Sequence, residues 1–181
     1  MLYAKRLFIG LDLPAECTAT LAALDPRLPG LRWLPPEQIH LTLSFLGNVD
    51  PPVAERLREA LAAVKVPPFF LPLRGLGIFK AQGRPSVIWA GVGKGHPHLF
   101  ALHKHIQDAV LRAGLEPDLR PFHPHVTVAR ARKVSTAAVQ PLLRQYSETE
   151  FALVRVEGFV LYSSELLQEG ATHHIEADFR F

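Results

Sequence analysis

The feature that most constrains this chain is an alternation that occurs twice. His40-Leu41-Thr42-Leu43-Ser44-Phe45 switches between polar and apolar residues at every position, the period of a half-buried β-strand and not of a helix. On a strand, side chains two apart share a face. His40, Thr42 and Ser44 are therefore expected on one face, with Leu41, Leu43 and Phe45 on the other. His125-Val126-Thr127-Val128 repeats the spacing. One such strand by itself is an ordinary wet face. Two of them, each offering an imidazole and a hydroxyl at i and i+2, can close a symmetric pocket with two acid/base groups and two neutral donors. That pocket suits chemistry at a phosphorus atom.

The flanking sequence places both segments in similar frames. Leu7 to Leu11 reads as a buried strand, and Pro14 suits the first turn of a helix with Cys17, Leu21 and Leu24 in register. Leu31 to Leu34 is a short extended piece before the first His strand. Asp50 is placed to cap the next helix, with Pro51 at its first position and Val53, Leu57, Leu61 and Val64 on one stripe. Phe69 to Lys80 then reads as a strand. The second half offers a strand over Ser86 to Val92. A helix follows from about Pro97, with Leu99, Leu102, Ile106, Ala109 and Val110 on one face and Gly114 as its stop. After the second His strand, Ser135 can cap a helix carrying Val139, Leu142, Leu143 and Tyr146. Phe151 to Tyr162 is one long β-rich stretch, and His174 to Phe181 a final strand.

The order strand, helix, His strand, helix, strand therefore occurs twice. Phe8 precedes His40 by 32 residues and Trp89 precedes His125 by 36. This predicts an α+β chain of two pseudo-symmetric lobes in a single bilobal domain over 1–181, with duplicated halves at roughly 1–82 and 83–181. Each lobe is expected to be an antiparallel sheet with helices on its outer face. The two polar strand faces would meet across a central cleft, a common place for a ligand.

Composition narrows the setting. The chain has 181 residues, 48% hydrophobic and 20% charged, which is globular and not disordered. No apolar run approaches the roughly 20 residues of a membrane helix, so no membrane association is expected. The N-terminal stretch reads as a first strand and not as a signal peptide. A single cysteine, Cys17, excludes an internal disulfide and fits a reducing cytoplasm. The net charge of +3 and sequence pI of about 9.2 admit a polyanionic ligand.

The chemistry follows from the paired imidazoles. Histidine titrates near 6.5, so one neutral and one protonated ring can coexist near neutrality. One can take a proton from water while the other gives one to a leaving oxygen, each role being typically worth about 10²–10⁴ in rate. The threonine hydroxyls can bond non-bridging phosphate oxygens. Strict alternation turns Arg130 away from the His125 face unless the strand bulges. Among other signals, His96, His98, His103 and His105 lack metal-ligand spacing and read as surface histidines. Gly91-Val92-Gly93-Lys94-Gly95 is a turn and not a phosphate loop. His173-His174 reads as a strand start. Trp33, Phe45, Trp89 and Tyr162 are candidate base-stacking rings.

These motifs resemble those of the 2H phosphoesterases, and within them the RNA 2′,3′-cyclic phosphodiesterases, also called 2′-5′ RNA ligases. The likeness extends from Arg6-Leu7-Phe8-Ile9-Gly10-Leu11-Asp12-Leu13-Pro14 through Arg32 to Gly47, Pro85 to Val92 and Phe122 to Arg130, to Leu161-Tyr162-Ser163-Ser164-Glu165-Leu166. The resemblance implies hydrolysis of an RNA terminal 2′,3′-cyclic phosphate to a 2′-phosphate, without metal or other cofactor. It implies His40 as proton donor, His125 as proton acceptor, Thr42 and Thr127 on phosphate oxygens, and Arg130 in substrate binding. Possible substrates include tRNA halves, the reverse reaction would join RNA halves through a 2′-5′ bond, and no obligate protein partner is implied. The alternatives are a non-catalytic module that binds RNA ends, or a phosphodiesterase acting on a small nucleotide cyclic phosphate.

Overall fold

In the computed structural model, residues 3–94, 96–167 and 170–181 are described. Nine strands form one curled antiparallel sheet. In chain order the elements are β1 (Lys5–Leu11), α1 (Ala15–Ala22), β2 (Leu31–Trp33), a 3₁₀ turn (Pro36–Gln38), β3 (Leu41–Val49), α2 (Pro51–Ala62), β4 (Phe69–Ala81) and β5 (Arg84–Gly91). They continue with α3 (Pro97–Arg112), β6 (His125–Ala131), α4 (Thr136–Gln145), β7 (Glu150–Val156), β8 (Gly158–Leu167) and β9 (Gly170–Arg180).

The strand order is β7-β4-β5-β6-β3-β1-β8-β9, with β2 pairing with β6. It divides into two wings, β7-β4-β5-β6 and β3-β1-β8-β9. Each wing has one His strand at its inner edge. Between β3 and β6 the wings share one registered pair, Leu41 opposite Val126, so the expected two lobes are two halves of one sheet held at a narrow seam. Each wing draws strands from both sides of residue 82. β4 pairs with β5 and β7, whereas β8 and β9 extend the wing that begins with β1.

The helices form where the apolar stripes require. Leu57 and Leu61 of α2, and Leu99, Leu102, Ile106, Ala109 and Val110 of α3, are buried. They share a core with Leu41, Leu43, Ile88, Val126 and Val128 of the sheet. Each fully buried Leu or Ile contributes roughly 1.5–3 kcal/mol, so this layer holds the two wings together. Ser135 caps α4 as expected, its hydroxyl accepting from the Ala138 N–H at 3.1 Å. Gly114, at φ +87°, ends α3 in the left-handed conformation that a side chain disfavours. Asp50 occupies the capping position of α2, but its side chain makes no capping bond.

Three sequence expectations need correction. Phe151 to Tyr162 is not one stretch: it breaks at Glu157 into β7 and β8, which run to opposite wings. The last strand begins at Gly170, so His173 and His174 are interior to β9, opposite Ser164 and Ser163 of β8. The alternation of the first His strand also fails after Thr42. Gly10 of β1 pairs with Thr42 and Ile9 with Ser44, leaving Leu43 as an extra residue. This bulge reverses the facing of Ser44 and Phe45, and a second shift at Leu46 restores the original facing further along. Ser44 turns into the core, 5% exposed, where its hydroxyl meets Gln107 of α3 at 3.1 Å. Phe45 turns out of the core and is 62% exposed.

Candidate active site

The seam sets the geometry of the two motifs. Leu41 and Val126 face each other antiparallel and point into the core. Antiparallel register about that pair sets His40 opposite Thr127 and Thr42 opposite His125, all on the other face. Both imidazoles and both threonines line the same cleft.

Both rings are held by the same local device. His40 Nδ1 lies 2.9 Å from the Gln38 carbonyl and His125 Nδ1 lies 2.7 Å from the His123 carbonyl. A carbonyl only accepts, so Nδ1 carries the proton in both rings and Nε2 is left with its lone pair. The Thr42 hydroxyl donates to His40 Nε2 at 3.1 Å. Aromatic rings brace the imidazoles. Phe8 packs at 4.8 Å from His40, and Phe79 meets His125 edge-on at 4.7 Å. Phe8 is itself stacked on Tyr162 at 4.9 Å.

His40, Thr42, His125, Thr127 and Arg130 line one cleft of about 630 Å³. Arg6, Arg32 and His173 also line it, and no carboxylate does among the described residues. Three guanidiniums and three imidazoles on one lining favour an anion. The same field acts on the histidines. Burial, then the neighbouring His173, depress His40 to about 4 against the opposing pull of the Gln38 carbonyl; Arg130 and His125 add to the depression. Burial also lowers His125, helped by Arg130 and His123 and opposed by the His123 carbonyl. Both shifts favour the neutral imidazole in the free protein.

A second bulge brings Arg130 into the cleft. Trp89 of β5 pairs with Thr127 and Ile88 with Ala129, which makes Val128 the extra residue. Ala129 turns inward, fully buried, and Arg130 turns to the cleft, opposite Arg32 of β2. The bulge follows the threonine in both motifs.

Of the candidate stacking rings, Phe45 alone lines the cleft. Trp33 donates its indole N–H to the Leu21 carbonyl at 2.9 Å. Trp89 lies over Gly77, where a Cβ would run into its ring. Tyr162 is buried at 7% exposure, and burial first, then the Asp12 carboxylate, push its hydroxyl pKa up. Of the histidines set aside as surface residues, His105 is exposed as expected, whereas His96 and His103 are half-buried in ring contacts. His96 stacks on Phe69 at 5.0 Å, and His103 stacks on Phe122 at 4.0 Å. His173, read as a strand start, instead meets His40 edge-on at 5.2 Å. The alternation of Ala171 and His173, both on the cleft, was the available signal for it.

A curled antiparallel sheet with two His-x-Thr strands side by side over a cationic cleft defines a two-histidine phosphoesterase. The family model described as LigT like Phosphoesterase matches residues 11–89 and 92–173, and the chain belongs to that family. An RNA 2′,3′-cyclic phosphodiesterase of Aeropyrum pernix is 37% identical over 135 residues, 74% of this chain and 77% of that protein. Another of that name from Thermus thermophilus is 35% identical, covering 94% of this chain and 87% of its own length. Among solved structures, E. coli LigT complexed with 3′-AMP aligns with a TM-score of 0.80 at 25% identity, over 98% of each chain. No helix among the described residues is long and apolar enough to cross a membrane.

Proposed function

We propose that the protein hydrolyses the 2′,3′-cyclic phosphate at an RNA end, breaking the P–O3′ bond and leaving a 2′-phosphate. Relatives of this family carry the name of that reaction. The observation that carries the reading is the antiparallel seam at Leu41 and Val126, which brings both imidazole–hydroxyl pairs against one space. In the proposed step, His125 Nε2 takes a proton from the attacking water. His40 Nε2–H delivers a proton to the departing O3′. Thr42, Thr127 and Arg130 hold the non-bridging oxygens, whose charge grows as the P–O bond to water forms. No step needs a metal.

His40 must be protonated to act as the donor, although the free protein keeps it neutral. A phosphate anion supplies the proton's stabilisation, by offsetting Arg130 and accepting from Nε2–H. The same chemistry in reverse would join a cyclic phosphate end, such as one from a tRNA half, to a hydroxyl end through a 2′-5′ bond. Water is far more abundant than RNA ends, so hydrolysis dominates. Product analysis on a defined cyclic-ended RNA, in excess chelator, tests this. A 2′-phosphate product supports the proposal; joined RNA halves as the main product, or no turnover, overturns it.

One observation favours a second reading of the acid and base labels: His40 is the more strongly depressed ring, as suits a neutral base. A substrate whose 3′ leaving oxygen is replaced by sulfur separates the two, because a thiolate leaves without general acid. Rescue of His40→Ala and not His125→Ala by that substrate makes His40 the donor. The opposite pattern makes it the base.

A further inference from the structure

The cleft does not end beside the reacting phosphate. Arg6, Ser164 and Leu166 line it and also line an adjoining groove of about 830 Å³. Arg6 lies on β1 two residues from Phe8 and pairs with Asn48 of β3. It therefore shares the cleft face with the ring that braces His40. Arg6 is exposed, and no ion pair engages it among the described residues. The other charges of the groove are largely committed. Lys5 is bound by Glu176 at 2.7 Å, and Glu176 is also reached by Arg58 at 3.2 Å; Glu165 is the remaining carboxylate. Tyr3, also on the groove, is 77% exposed. An uncommitted guanidinium at the junction and an open aromatic ring beyond it are the two elements by which single strands are held: a cation for the backbone and a ring face for a base.

We propose that this groove receives the nucleotide preceding the reacting end of a single-stranded RNA, with Arg6 on its phosphate and Tyr3 against its base. The proposal rests on the cyclic phosphodiesterase reading of the cleft and deepens it: the preferred substrate is an oligonucleotide end and not a free cyclic mononucleotide.

The test compares kcat/KM for a 2′,3′-cyclic mononucleotide with that for cyclic-ended di- and trinucleotides. The wild-type protein is expected to favour the trinucleotide. Arg6→Ala and Tyr3→Ala are each expected to shrink the ratio of trinucleotide to mononucleotide kcat/KM, by about fivefold or more for the lost ring. Equal rates on both substrates in the wild type, or an equal loss on both in the variants, overturns the groove. If no cyclic phosphate is turned over at all, the phosphodiesterase reading fails separately. The groove is then decided by anisotropy of a labelled trinucleotide ending in a 2′-phosphate. There, Arg6→Ala is expected to make the slope of log K against log salt shallower by about 0.7, the value for one phosphate contact on a single strand. An unchanged slope overturns the proposal. Melting curves of both variants establish that they remain folded.

Discussion

The two His strands make an instructive pair. Each follows or begins at a histidine tied to the carbonyl two residues before it, β3 one residue after His40 and β6 at His125. Both place a threonine two residues on and bulge at the next residue. Both then send the residue five past the histidine into the cleft. On β3 that residue is Phe45 and on β6 it is Arg130. In the proposed reaction the symmetric part of the device serves what is symmetric in the chemistry, a phosphorus atom with one oxygen arriving and another leaving. The asymmetric part gives one side an apolar ring and the other a fixed positive charge. A nucleotide has the same inequality, with a base on one side of its sugar and phosphate oxygens on the other.

The comparison breaks most visibly if either histidine is dispensable. His40→Ala and His125→Ala are each expected to reduce kcat by about 10²–10⁴, measured on a cyclic-ended oligonucleotide. A large loss in only one of them would reduce the pair to a single catalytic group. The next largest effect separates Arg130 from Phe45. Arg130→Ala is expected to lower kcat/KM on every substrate, including a ribose cyclic phosphate lacking a base. Phe45→Ala should raise KM by about fivefold or more where a base is present, and leave the abasic analogue alone. Parallel losses across both substrates would mean that the two positions do the same work.

The environment of His40 also has a pH signature. Its folded-state value of about 4 lies below the ordinary 6.5, so the unfolded chain binds the proton more readily. Its stabilising contribution is therefore complete above about pH 6.5 and is lost as pH falls toward 4. Thermal melts across that window should show the decline, and His40→Gln should flatten it. An equally steep decline in the variant would place the effect on other groups. The smallest effect sharpens the bulge itself. Ser44→Ala removes the hydroxyl that meets Gln107 and is expected to cost about 1 kcal/mol of stability by denaturant titration, with kcat unchanged. A loss of activity without loss of stability would place Ser44 on the cleft side after all.

Much of this was legible in the sequence. The period-two pattern around each histidine, the helix stripes on α2 and α3, the Ser135 cap and the repeated order of elements are local properties. They arise from side-chain spacing and from backbone groups within a few residues, and the structure reproduces them. The turn of Ser44 into the core, the turn of Phe45 and Arg130 onto the cleft, and the approach of His173 to His40 are different in kind. Each depends on a neighbouring strand that is distant in sequence.

The sequence alone therefore determined that two strands would each present an imidazole and a hydroxyl on one face, because alternation is a property of the strand itself. Tertiary structure decided which later residues join them. A bulge exists only relative to a partner: β1 is one residue short against β3 after Thr42, and β5 is one short against β6 after Thr127. That is why a phenylalanine expected in the core and an arginine expected to face away both ended beside the histidines.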